Sequence, residues 1–315
     1  MKNLIAVSNK NQIARVESFN YFNLADKWIA FAQVKPSSVK SYRKGIRRLA
    51  EYCAENKISV ITRENMIEYR ETLTNKYAAT TANLYLTAAK LFLAFLQQEN
   101  YIEVNPAEHL KGLKIAEGHK KDALTADDTK TILSKFNTST LKGLRDKAIY
   151  SLMTTAGLRT IEVVRANIGD IVKRGGKIFL HVQGKGRNDK LECVLIADGV
   201  YKLIQSYLAQ RKNISADSPL FGSLSRRNFG KRMTTFSISR IIKTSLKSAG
   251  YDSSRLTAHS LRHTAATLAL RAGQTLRQVQ QVLRHKNISV TQIYLHDLDR
   301  LNNTAESVVA NLCGI

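Results

Sequence analysis

His259-Ser260-Leu261-Arg262-His263-Thr264, with His285 and Tyr294 following it, decides how this chain is read. Upstream stands Gly157-Leu158-Arg159, and between the two lies a Gly184-Lys185-Gly186 turn. Leaving His263 aside, they supply in order along the chain two arginines, two histidines, a lysine and a tyrosine. Two guanidiniums can fork onto the non-bridging oxygens of one phosphate, binding it bidentately and staying charged at working pH. A tyrosine hydroxyl can act as nucleophile and leave a covalent phosphotyrosine. The set suits attack on a phosphodiester.

Taken singly, each residue has a plainer reading. Arg159 follows a helix-stopping glycine, where a cation is commonplace because the helix end is negative. His259 and Arg262, three apart, share one face of a helix, while Leu261, Ala265 and Leu268 point elsewhere. The pair is therefore expected off the core, and His263, on another face, is expected to be structural. His285 near a helix end would serve as a cap, Tyr294 between Ile293 and Leu295 would pack, and Lys185 would be a solvated hairpin residue.

Composition narrows the partners. Lys and Arg number 49 against 25 Asp and Glu, a formal charge of +24 in 315 residues. A surplus of that size favours a polyanion, and nucleic acid is the expected one. Membrane association is not expected, because no apolar run approaches the roughly 18 residues of a spanning helix. No signal-like segment opens the chain, and Cys53, Cys193 and Cys313 show neither a disulfide framework nor metal-ligand spacing. A cytoplasmic protein without metal or cofactor is expected.

The length accommodates two domains. Residues 1–18 read as a polar, flexible arm. From Asn23 a helical pattern begins: Leu24, Trp28 and Phe31 form one stripe, and Val39, Tyr42, Ile46, Leu49 and Cys53 another. The second helix carries Lys40, Arg43, Lys44, Arg47 and Arg48 on its opposite face, with Glu51 as the nearby acid, and is expected to touch phosphates. Met66–Leu73 and Thr80–Gln98 complete a helical bundle over 19–106, the last helix supplying a wide core face from Leu84, Ala88, Leu91, Phe92 and Phe95. Asn105-Pro106 ends it. Residues 107–122, with Lys120 and Lys121, read as an exposed basic linker. Thr125-Ala-Asp-Asp128 resembles a capping box opening the second domain, 123–315. A helix stopped at Gly157, a hairpin from Lys177–Val182 and Lys190–Ile196, and helices from Tyr201 to the end follow. The fold is thus mainly α with a small β-hairpin or sheet.

Gly157-Leu-Arg159-Thr-Ile-Glu162, Gly184-Lys185-Gly186, His259-Ser-Leu-Arg262-His263-Thr, Leu283-Arg-His285 and Tyr294 together resemble the tyrosine site-specific recombinases, the phage integrase family. The motifs cover residues 124–296, and the basic N-terminal helices look like that family's core-binding, SAM-like domain. The resemblance implies a C-shaped clamp whose two domains grip DNA. It also implies roles. Arg159 and Arg262 would bind the scissile phosphate, Tyr294 would attack it to leave a 3′-phosphotyrosyl link, and Lys185 would protonate the departing 5′-oxygen. His259 would take the tyrosine proton or steady the phosphate, His285 would hydrogen-bond the phosphate, and Glu162 would support the site by orienting a histidine. Two guanidiniums and two histidines are expected to favour the phenolate.

Members usually carry glycine just before the second histidine, where this chain has Arg284. That puts the placement of His285 in question, and Arg284 is expected to add a phosphate contact. The 21 residues beyond Tyr294, with Leu298, Leu301, Val308, Val309 and Leu312, are expected to pack into a neighbouring protomer. The implied partners are double-stranded DNA with inverted-repeat core sites, a homotetramer on that DNA, and an accessory bending or directionality factor. Integration or excision of a mobile element is the expected role. A chromosomal Xer-type resolvase is the alternative, with a type IB topoisomerase or a silent DNA-binding scaffold behind it.

Overall fold

Pro36 opens the second of the four helices described in the N-terminal unit, at a first-turn position where its missing N–H costs nothing. The computed structural model describes residues 14–15, 21–34, 36–114, 122–184, 189–294 and 305–314. They divide into two units, residues 1–117 and 118–315, each with its own core.

The first unit holds α1 (Tyr21–Phe31), α2 (Pro36–Glu55), α3 (Arg63–Lys76) and α4 (Ala79–Gln98). Thr62 caps α3 by accepting from the Asn65 N–H, and the Asn65 side chain accepts from the Thr62 N–H in return. Ile46, Leu49 and Cys53 of α2 share a core with Ala89, Phe92 and Leu93 of α4. Gly45 lets these helices approach, since a Cβ there would lie 2.6 Å from the Ala88 Cβ. Leu84 and Leu91, expected in the core face of α4, lie on its exposed side.

Two further expectations change here. By length and composition α4, 20 residues long, is apolar enough to cross a membrane, contrary to the sequence reading. Half of it is buried inside the bundle, as befits a core helix, so the apolarity is already accounted for by packing. The exposed linker also begins later than Ala107. Ala107 and Leu110 are buried in the N-terminal core. Asn83 grips the chain beyond them, its Oδ1 accepting from the Leu113 N–H at 2.9 Å and its Nδ2 donating to the Leu113 carbonyl at 3.0 Å. At the other end Ala14–Arg15 (β1) pairs with Val60–Ile61 (β2), within the stretch expected as a free arm. The rest of that arm, and linker residues 115–121 with Lys120 and Lys121, lie outside the described residues.

The second unit starts with the capping box as expected: the Thr125 hydroxyl accepts from the Asp128 N–H, and α5 (Ala126–Ser134) follows. Helix α6 (Leu141–Ala156) is the hub, with Ala148, Ile149, Leu152 and Met153 fully buried and α8 and α10 packed against it. A short α7 (Thr160–Arg165) leads to an antiparallel sheet of three strands, β3 (Ile171–Arg174), β4 (Lys177–Val182) and β5 (Glu192–Ile196), in that order. The sequence reading found β4 and β5 but not β3, which turns into β4 through Gly175-Gly176, both at positive φ. The Lys185 turn joining β4 to β5 lies outside the described residues. Helices α8 (Asp198–Ala209), α9 (Thr235–Ser248), α10 (Ala258–Arg271), α11 (Leu276–Leu283), α12 (residues 289–294) and α13 (Ala305–Leu312) complete the unit. Residues 210–234, expected to be helical, form turns with one short 3₁₀ segment at Arg226–Asn228.

Candidate active site

Helix α6 stops because Gly157 adopts the left-handed conformation, φ 57° and ψ 33°. A Cβ at this glycine would meet the Leu283 Cδ2 at 2.6 Å, so the position needs glycine twice over. Leu158 turns into the core, and Arg159 becomes the N-cap of α7. Its N–H donates to Glu162 Oε2 and its Nη1 to Glu162 Oε1, both at 2.8 Å. The motif is a helix stop, a turn and a helix start within six residues. It leaves the Arg159 side chain 30% exposed, able to meet a ligand.

Arg262 on α10 is 1% exposed, not off the core as its helical position suggested. Its Nη1 donates to the Gly157 carbonyl at 2.5 Å and its Nη2 to the Leu283 carbonyl. Those carbonyls close α6 and α11, where cations are favoured, and they satisfy a guanidinium that would otherwise be costly to bury. Burial, with Arg159 and Arg284 nearby, pulls the Arg262 pKa down to about 9, which still leaves it charged at neutral pH.

Arg284 is the second correction. It caps α11 in the left-handed region, φ 55° and ψ 46°, so the backbone turn that glycine would allow is made by arginine. That conformation costs a non-glycine residue roughly 1–2 kcal/mol. The side chain is 4% exposed and turned inward onto Glu162. Its Nη2 donates to Glu162 Oε2 at 2.8 Å and its Nη1 to the Val282 carbonyl at 2.5 Å. Glu162, fully buried, thus lies between two arginines. Burial pushes its carboxyl up, but Arg284 and the Arg159 N–H and guanidinium outweigh that and hold it below the usual carboxylate range.

His285 keeps its place despite Arg284. Its N–H donates to the Gln280 carbonyl, and its Nδ1 lies 2.9 Å from the hydroxyl of Thr291, a buried residue that the sequence did not single out. Burial first, then Arg262, Arg159, Arg284 and His259, bring its pKa down from 6.5 to about 4. The ring is therefore expected to stay neutral in the DNA-free protein from pH 8 to pH 5, as followed by imidazole ¹⁵N shifts. A titration midpoint above 6 would contradict the geometry. Because the folded pKa lies below the unfolded one, stability present above pH 6.5 should decline as pH falls towards 4.

Tyr294, in α12, is 4% exposed and packs with Ala266, Val279 and Leu283. Its ring is stacked on His285, centroids 6.5 Å apart and planes 8° apart. His263 meets it edge-on at 5.0 Å, and the ring of the exposed His259 lies 5.1 Å from that of His263. His263, read as structural, is thus in ring contact with both His259 and Tyr294. Burial raises the Tyr294 pKa; Arg262 and Arg159 oppose the shift without reversing it. The arginines act in the expected direction, towards the phenolate, but burial outweighs them.

Arg159, Glu162, Arg262, Arg284, His285 and Tyr294 therefore meet in one cluster, with His259 at its rim. Among the described residues no group of three or more His, Cys, Asp or Glu side chains could hold a metal ion. The basic face of α2 lies in the other unit, and there Arg43 pairs with Asp26 at 2.9 Å while Arg47 and Arg48 both pair with Glu51. The five cations have two acids among them rather than one. Lys40 and Lys44 remain exposed, Lys44 with its ammonium 5.7 Å from the Tyr85 ring centroid.

Residues 122–300 match the model of the phage integrase family, and residues 30–100 that of the phage integrase N-terminal SAM-like domain. The tyrosine recombinase XerC of Herpetosiphon aurantiacus is 30% identical over 269 residues, covering 82% of this chain and 84% of the relative. Among solved structures, XerH in its post-cleavage complex with a palindromic difH substrate has a TM-score of 0.75 at 19% identity, over 93% of this chain and 85% of that one. A lambda integrase tetramer bound to a Holliday junction has a TM-score of 0.65 at 16% identity, over 89% and 78%. These structures share the fold.

Proposed function

Because this chain belongs to the phage integrase family and is a site-specific tyrosine recombinase, we propose that it cuts and rejoins DNA through Tyr294. The observation that carries this reading is that the tyrosine shares one cluster, within one chain, with Arg159 and Arg262. The phenolic oxygen attacks phosphorus, the bond to the 5′-oxygen breaks, and a 3′-phosphotyrosyl link and a 5′-hydroxyl result. Arg159 and Arg262 stabilise the charge that builds on the non-bridging oxygens. His259, at the rim, takes the Tyr294 proton or steadies the phosphate, and His285 hydrogen-bonds it through the ring nitrogen not turned to Thr291. Lys185 delivers a proton to the leaving 5′-oxygen. Attack by a 5′-hydroxyl from another duplex reverses the step and builds a Holliday junction. One diester replaces another, so the exchange is close to isoenergetic.

The DNA would carry inverted-repeat core sites bound by four copies of the chain. On α13 the side chains of Val308, Val309 and Leu312 are exposed, an apolar face suited to docking on a neighbouring protomer. Deleting residues 305–315 should abolish tetramers on DNA while leaving single-site binding intact, as read by native gel and light scattering. A truncated chain that still assembles would refute the exchange.

Integration or excision of a mobile element remains our proposed role, supported by the charge of +24. The XerC relative favours a second reading, resolution of chromosome dimers. A plasmid with two candidate sites separates these enzymes from a topoisomerase: recombinant circles that require both sites support the proposal, whereas relaxation of a site-free plasmid would defeat it. Deleting the gene distinguishes the two roles, since loss of a resolvase leaves dividing cells with dimeric chromosomes and loss of an element's integrase does not.

A further inference from the structure

Arg284 stands where the family usually carries glycine, yet its side chain is buried in the site and bonded to Glu162. Three donors reach that carboxylate at 2.8 Å: the Arg159 N–H and Arg284 Nη2 on Oε2, and Arg159 Nη1 on Oε1. Glu162 thereby aims Arg159, but a buried carboxylate beside Arg159 also cancels the charge that the phosphate is to meet. Arg159, Arg262 and Arg284 against Glu162 leave the cluster at a net +2. Without Arg284 it would fall to +1. The remaining bonds of Arg284, to the carbonyls of Val282, Ala156 and Gly157, hold it in this place.

We propose that Arg284 is a positioning residue for strand cleavage: it balances Glu162, so that the carboxylate orients Arg159 without neutralising it. The inference rests on the reading of Arg159, Arg262 and Tyr294 as the cleavage machinery. It gives the departure from glycine a chemical purpose, since an arginine here adds charge to the site without touching DNA.

The test uses the full chain and a nicked duplex bearing the sequence that the wild-type protein enriches from a randomised pool. Adduct formation at saturating protein, DNA Kd and thermal melting are measured for Arg284→Gly, Arg284→Lys, Arg284→Gly with Glu162→Gln, and Tyr294→Phe. Arg284→Gly should bind DNA nearly as well as wild type but form adduct roughly 10- to 100-fold more slowly, less than for loss of a group that touches the reacting atoms. Adding Glu162→Gln should restore most of that rate, because it returns the cluster to +2. A purely structural role would show instead as a fall in melting temperature that tracks the fall in rate from variant to variant. Arg284→Lys keeps the charge and should stay much closer to wild type; this variant decides the matter if Arg284→Gly fails to fold. A wild-type rate in Arg284→Gly, no rescue by Glu162→Gln, or equal losses in the Lys and Gly variants would overturn the proposal. Adduct surviving Tyr294→Phe would instead overturn the reading of the site itself. An inactive Tyr294→Phe beside an unimpaired Arg284→Gly would sink this inference alone.

Discussion

Tyr294→Phe is expected to form no covalent adduct on a nicked duplex while binding it as tightly as the wild type. The substitution removes one oxygen and keeps the ring that stacks on His285 and meets His263 edge-on. The apolar neighbours Ala266, Val279 and Leu283 are indifferent to it. The cost in stability should not exceed that of one hydrogen bond, about 1 kcal/mol, so loss of the adduct cannot be blamed on unfolding. The readout is an SDS-resistant protein–DNA band. Persistence of that band would mean that another side chain is the nucleophile.

The second large effect separates the two arginines. Arg159→Ala and Arg262→Ala should each slow adduct formation by about 10²–10³-fold, the usual loss for one preorganised donor to a developing oxyanion. They should differ in stability. Arg159 is 30% exposed, and without it Glu162 keeps Arg284 and a backbone N–H, so the fold should survive. Arg262 is buried and caps the carbonyls of Gly157 and Leu283. Losing it should cost roughly 1–3 kcal/mol for the buried Leu283 carbonyl, since the Gly157 carbonyl keeps the Arg284 Nη2 as a donor. Urea denaturation alongside the cleavage rate checks both halves, and an Arg262→Ala protein as stable as wild type would contradict the structure.

What could be read in advance was local. The Thr125–Asp128 box and the stop at Gly157 are short-range chemistry, and both lie where the sequence put them. The motif order likewise identified the family before any geometry. What escaped depended on partners far away in the chain. The linker starts later than its composition suggests because Asn83 grips Leu113 thirty residues on. Arg284 looked like a surface cation because its acid, Glu162, is 122 residues away. β3 was missed because it is four residues long and pairs through a turn of two glycines. The acidity of Tyr294 was misjudged for a different reason: charges can be counted from a sequence, whereas the burial that outweighs them cannot.

The guanidiniums of Arg262 and Arg284 both end on the last carbonyls of α6 and α11. The same bonds that finish two helices therefore assemble the proposed phosphate site. Folding and readiness for chemistry become a single cooperative event: a molecule that has completed these helices holds its cations in register, and one that has lost them has no partly active form to fall back on.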